Sequence, residues 1–171
     1  GSPDGCSWGT AYRNLQDALA DSTLALGDEI GVAAGTYYPD LGAGQTNDDR
    51  DSTFTLEHGV DVYGGFAGTE TLLSQRNPAV NVTILSGDIG TLGDDTDNAY
   101  HVVTALNINA AITVLDGVTI RDGYVEVGSD FGGGMYISNS NNALQITGVT
   151  LRDNFAGNGG GMATFESSPL L

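Results

Sequence analysis

The feature that most constrains this chain is that it repeats itself at fixed distances. The segment Gly117-Val-Thr-Ile-Arg-Asp122 returns 31 residues later as Gly148-Val-Thr-Leu-Arg-Asp153, and Gly132-Gly-Gly-Met135 returns 27 residues later as Gly159-Gly-Gly-Met162. The two offsets differ because one loop between the motifs is shorter in the second copy. A period of about 20–50 residues is the signature of stacked architectures, in which each unit buries its apolar face only against its neighbours.

The period within the units selects among such stacks. A helical repeat needs long stripes at a spacing of 3.6, and a β-solenoid needs short alternating strands closed by turn residues. From residue 28 onward the apolar residues alternate: Ile30 with Val32, Phe54 with Leu56, Val60 with Val62, Val82 with Ile84, Ile112 with Val114, Val118 with Ile120, and Leu144 with Ile146. Each run is short and ends in Gly, Asn or Asp, which tolerate the left-handed backbone that tight corners demand. In the repeated cassette, Val118 and Ile120 point inward and Thr119 and Arg121 outward. The 26 glycines among only 4 prolines, with no Gly-X-Y period, fit many tight turns and not collagen. The fold class expected is all-β, a right-handed parallel β-helix (β-solenoid) with an N-terminal capping α-helix.

That helix is expected over about residues 10–21, where Tyr12, Leu15, Ala18 and Leu19 fall at spacings of three and four and Thr10 offers an N-cap. Residues 1–27 are therefore assigned to a cap over the first unit, and 28–171 to parallel coils. Because the chain ends at SSPLL, close to a repeat motif, the full protein is expected to continue.

The chain carries 22 acidic against 5 basic residues, all arginine, for a formal charge of −17. Nucleic acid is excluded as a natural partner, since phosphates would be repelled. A surface of this charge stays soluble and attracts divalent cations. The lone Cys6 has no internal partner for a disulfide. No apolar run reaches the roughly 18 residues of a spanning helix.

Four groups of residues are candidates for chemistry. Arg121-Asp122 and Arg152-Asp153 fall at equivalent places in the two cassettes, and a two-step ladder of guanidinium and carboxylate could grip a sugar chain or could be a pair of solvated salt bridges. Asp94, Asp95 and Asp97, with Asp88 and Asn98 nearby, gather oxygen ligands in one loop and make calcium the cofactor to consider, although the spacing matches no EF-hand. Asn47, Asp48, Asp49 and Asp51 form a second such group. Trp8 with Tyr12 offers either a sugar platform or packing for the cap. His58 and His101 lack neighbouring ligands for zinc.

Several stretches together resemble a known group. Asp4-Gly-Cys-Ser-Trp8, Leu15-Gln-Asp-Ala-Leu19, Gly27-Asp-Glu-Ile30, Val32-Ala-Ala-Gly-Thr-Tyr37, Val62-Tyr-Gly-Gly-Phe-Ala-Gly-Thr-Glu70, Thr83-Ile-Leu-Ser-Gly-Asp88 and the two Gly-Gly-Gly-Met motifs resemble bacterial right-handed parallel β-helix repeat proteins of the pectate-lyase-like superfamily. The resemblance implies a large secreted or cell-surface protein and an extracellular location. The role expected is non-catalytic: adhesion, matrix or structural assembly, or binding of a polysaccharide or another surface protein, with lateral or end-to-end assembly. The alternative is a calcium-assisted polysaccharide lyase, in which Arg121 or Arg152 would abstract a proton beside Asp122 or Asp153, or another carbohydrate-active enzyme. The paired-Asp and Gly-His-Gly patterns of polygalacturonase-like members do not occur.

Overall fold

A computed structural model describes residues 3–126 and 131–171. Its strands are β1 (Glu29–Ala33), β2 (Gly35–Tyr37), β3 (Phe54–Thr55), β4 (Asp61–Phe66), β5 (Thr83–Ser86), β6 (Val103–Leu106), β7 (Thr113–Asp116), β8 (Val118–Arg121), β9 (Met135–Ser138), β10 (Leu144–Thr147), β11 (Thr150–Arg152) and β12 (Met162–Phe165). They form three four-stranded sheets, ordered β1-β4-β7-β10, β2-β5-β8-β11 and β3-β6-β9-β12. Every third strand thus returns to the same sheet, and every pairing is parallel.

The repeat offsets are the pairing registers. Thr150 lies beside Thr119 and Arg152 beside Arg121, while Met162 lies beside Met135. Alternation along each strand then stacks like on like. On the first sheet Ile30, Val62, Leu115 and Ile146 form one inward column, all of them buried. On the second, Leu85, Ile120 and Leu151 do the same, and on the third Phe54, Val103, Met135 and Met162. These columns belong to one apolar cluster. Each buried Val, Leu or Ile side chain contributes about 1.5–3 kcal/mol relative to exposure.

The corners follow from residue chemistry. Asp122 (φ 61°), Asp153 (φ 55°), Asn107 (φ 60°) and Asn139 (φ 52°) end β8, β11, β6 and β9 in the left-handed region, where Asn and Asp are the non-glycine residues best tolerated. Asn139 donates from Nδ2 to Asn107 Oδ1 at 2.8 Å, and Asn154 donates to the Ile120 carbonyl at 3.0 Å while accepting from the Gly123 N–H at 2.9 Å. The repeated Gly-Gly-Gly-Met motif is a close approach of backbones. A side chain at Gly133 or Gly134 would run into the carbonyls of Phe155 or Gly161 on the next strand set.

The N-terminal helix is shorter than its sequence pattern. Helix α1 covers Leu15–Leu19 only, and Trp8–Thr10 form a separate 3₁₀ turn. Thr10 does not cap a helix: its carbonyl accepts the N–H groups of Asp4 and Gly5, and its hydroxyl shares a hydrogen bond of 2.9 Å with Ser7. Ala11 is extended at ψ 148°. Tyr12 turns away to donate to Asp21 Oδ2 at 2.8 Å. Leu15 and Leu19 still enter the apolar cluster, and the buried Gln16 fixes the helix beside β3 by donating to the carbonyls of Pro39 (2.6 Å) and Thr53 (3.0 Å). Among the described residues, no helix is long and apolar enough to cross a membrane.

Candidate functional site

Arg121 and Arg152 are brought side by side, at the outer ends of β8 and β11. The left-handed turn at each following aspartate folds its carboxylate back onto its own arginine. Arg152 Nη1 donates to Asp153 Oδ2 at 2.5 Å. Arg121 Nε lies 3.0 Å from Asp122 Oδ2, but its N–H is directed off that line, so the contact is ionic and not a hydrogen bond. Asp122 Oδ2 also accepts from Ser86 Oγ at 2.9 Å. The ladder is therefore two separate ion pairs, each between an arginine and the aspartate that follows it, with Arg152 and Asp153 the more exposed pair. Exposed pairs of this kind contribute about 0–1 kcal/mol each.

The acidic loop does not gather its carboxylates. Asp94 Oδ1 accepts from the Thr96 hydroxyl (2.7 Å) and N–H (3.0 Å) and caps the 3₁₀ turn Asp95–Asp97; these bonds hold its carboxyl below the usual carboxylate range. Asp97 Oδ2 accepts from Thr91 N–H at 2.8 Å and Asp88 Oδ1 from Gly93 N–H at 2.7 Å. Among the described residues, no three His, Cys, Asp or Glu side chains converge as ligands for one metal ion. Asp97 Oδ1 and Asn98 Oδ1 are buried without a hydrogen-bond partner. In the second acidic stretch, Asp49 accepts from the Asp51 N–H, and Asp48 donates its own N–H to the buried Asp40.

The histidines stand apart. His58 Nε2 accepts from Ala111 N–H at 3.1 Å, and His101 Nδ1 lies 3.0 Å from the Gly132 carbonyl while its ring stacks on Tyr136. Cys6 is exposed and unpaired.

Two arginines that the sequence pattern did not single out are more deeply engaged than the expected pair. Arg50 donates to the carbonyls of Asn98 (2.7 Å) and Tyr124 (3.0 Å), pairs with Glu126 at 3.1 Å, and lies 4.2 Å over the Tyr100 ring. It ties three successive loops on one side of the molecule. Arg76 donates to the Gly64 carbonyl (3.0 Å), pairs with Asp116 (2.8 Å), and covers the Tyr63 ring at 5.3 Å. Their partners lie 12–76 residues away in sequence, so no local motif announces them.

Trp8 packs more than it displays. Its Nε1 donates to the Glu70 carbonyl at 2.8 Å and its ring sits 5.3 Å from that of Phe66, over Gly31. Beside it runs an open groove of about 1010 Å³ whose walls include Trp8, Tyr12, Asp21, Glu29, Tyr63 and Glu70. Asp21 is held low by the Thr23 N–H and hydroxyl and by Tyr12, and Glu70 by the N–H groups of Ala67 and Thr69, so both remain charged through mild acid. Tyr63 is pushed up to about 12, first by desolvation and then by Asp61.

No family model matches the chain, and neither a curated protein nor a solved structure matches it.

Proposed function

We propose that the three sheets are the faces of one right-handed parallel β-helix, that residues 1–27 with α1 cap its first coil, and that the rod acts outside the cell as a non-catalytic contact module. In this reading it serves adhesion, matrix assembly, or binding of a glycan or another surface protein, in the manner of the bacterial β-helix repeat proteins that its motifs resemble. The observation that carries the reading is the state of the Arg121 and Arg152 side chains. Each faces outward and is neutralised by the aspartate next to it, which suits a charged surface and leaves no unpaired base beside a cluster of carboxylates. The charge of −17 supports a soluble, exposed rod that repels acidic polymers unless cations bridge them.

A calcium-assisted lyase is the second reading, kept because Asp97 Oδ1 and Asn98 Oδ1 are oxygens without partners in the loop where calcium is expected. The two are separated by incubating the chain with pectin and with alginate, with and without calcium, and following the absorbance of unsaturated products. The contact module gives none. Product that requires calcium and disappears in Arg121→Ala overturns it.

A further inference from the structure

The outer face of the first sheet carries a charge imbalance that no described side chain corrects. Glu29 on β1 and Asp61 on β4 are in-register neighbours, one parallel-strand spacing of about 4.8 Å apart. Like charges directly opposite each other destabilise a sheet. One strand further, Asp116 has its counter-charge in Arg76. Among the described residues, no cationic side chain pairs with Glu29 or Asp61. Asp61 is satisfied by hydrogen bonds, accepting from Val114 N–H at 2.8 Å and Tyr63 hydroxyl at 3.2 Å, but these donors bring no positive charge. The Glu29 side chain is exposed and makes no hydrogen bond among the described residues.

Glu29 also lines the groove beside Trp8, whose walls hold carboxylates and aromatic rings and, among the described residues, no arginine or histidine. An aromatic wall beside a carboxylate favours an organic cation over a bare metal ion, because the ring faces attract an ammonium or guanidinium while its methylenes cover apolar surface. The same combination is already used within the chain, where the Arg76 guanidinium meets both a carboxylate and the face of Tyr63.

We propose that the groove between Trp8 and the outer face of β1 and β4 is a docking site for a basic segment of a partner protein, with a lysine or arginine side chain seated at Glu29, whose in-register neighbour Asp61 adds its negative charge. The proposal rests on the reading of the chain as a contact module, and charge complementarity selects the partner.

The test titrates the whole chain with an octalysine peptide at about 0.15 M salt, where diffuse attraction is screened beyond about 8 Å. Glu29→Lys removes no hydrogen bond and should weaken binding by about tenfold. The double variant Asp94→Asn, Asp95→Asn changes the net charge by the same amount at the distant loop and should leave affinity within about twofold. Glu29→Gln should raise the thermal midpoint of the free protein by removing the repulsion with Asp61. Absence of binding, equal loss in the loop variant, or displacement of the peptide by millimolar calcium overturns the proposal. A lyase product in the polysaccharide assay defeats the contact module instead, so the two failures are read separately.

Discussion

Tyr63 shows how one outward residue on a parallel sheet comes to depend on its own strand, the next strand and a loop. Its hydroxyl donates to Asp61 on its own strand, Asp116 stands in register on the next strand, and Arg76 lies over its ring. Desolvation leads and the Asp61 carboxylate follows in raising its pKa to about 12, because both penalise a phenolate. The sign of the linkage follows directly. A phenol whose folded pKa lies above the unfolded value of about 10 contributes its full stabilisation below pH 10 and loses it as pH rises toward 12. Absorbance at 295 nm should therefore show a tyrosine titrating near pH 12 together with a loss of stability over the same interval. Asp61→Asn should move that titration down without returning it to 10, since desolvation remains. A titration in Asp61→Asn unchanged from the wild type would remove the carboxylate from this account.

At the scale of the element, strand position within its sheet decides how much a side chain matters. Ile120 on β8 has a paired strand on each side, β5 and β11, and is fully buried, whereas its column neighbour Leu151 on β11 is paired on one side and half-buried. Ile120→Ala should cost about 2–5 kcal/mol in denaturant unfolding, and Leu151→Ala should fall clearly below it. Equal costs would mean that the columns do not share one interior. The same contrast explains what the sequence could and could not disclose. The cassettes at β8 and β11 were legible because alternation and corner residues agree there, and the 31-residue offset became the register itself. Strand β2 was hidden because three residues cannot establish a period, whereas the alternation of Phe54 with Leu56 marked β3. The helix was drawn too long because its apolar spacing continues through Tyr12, while the hydroxyl of that residue is claimed by Asp21. Arg50 and Arg76 escaped notice for a related reason: their carbonyl and carboxylate partners come together only after stacking. The Arg121 and Arg152 pairs were legible in full, because the partner is the next residue.

The whole molecule is held by a rule that acts between strand sets and not within them: equivalent residues lie beside one another, all strands running the same way. A slip of one residue would turn every inward column to solvent, so the register should be firmly fixed wherever one face is apolar. Thr119 and Thr150 report on it without touching the core, because both point outward at paired positions on β8 and β11. In a Cys6→Ser background, which removes the only native thiol, Thr119→Cys with Thr150→Cys places two α-carbons on adjacent strands about 4.8 Å apart. That spacing is within the Cα separation of about 4.4–6.8 Å that a disulfide spans. Mild oxidation should cross-link this pair within one chain, read as faster migration on a non-reducing gel and loss of free thiol. Thr119→Cys with Thr164→Cys, whose strands belong to different sheets, should remain reduced under the same conditions. Cross-linking of the second pair in place of the first would break the in-register stack, and with it the outer faces on which the arginine ladder and the Glu29 groove depend.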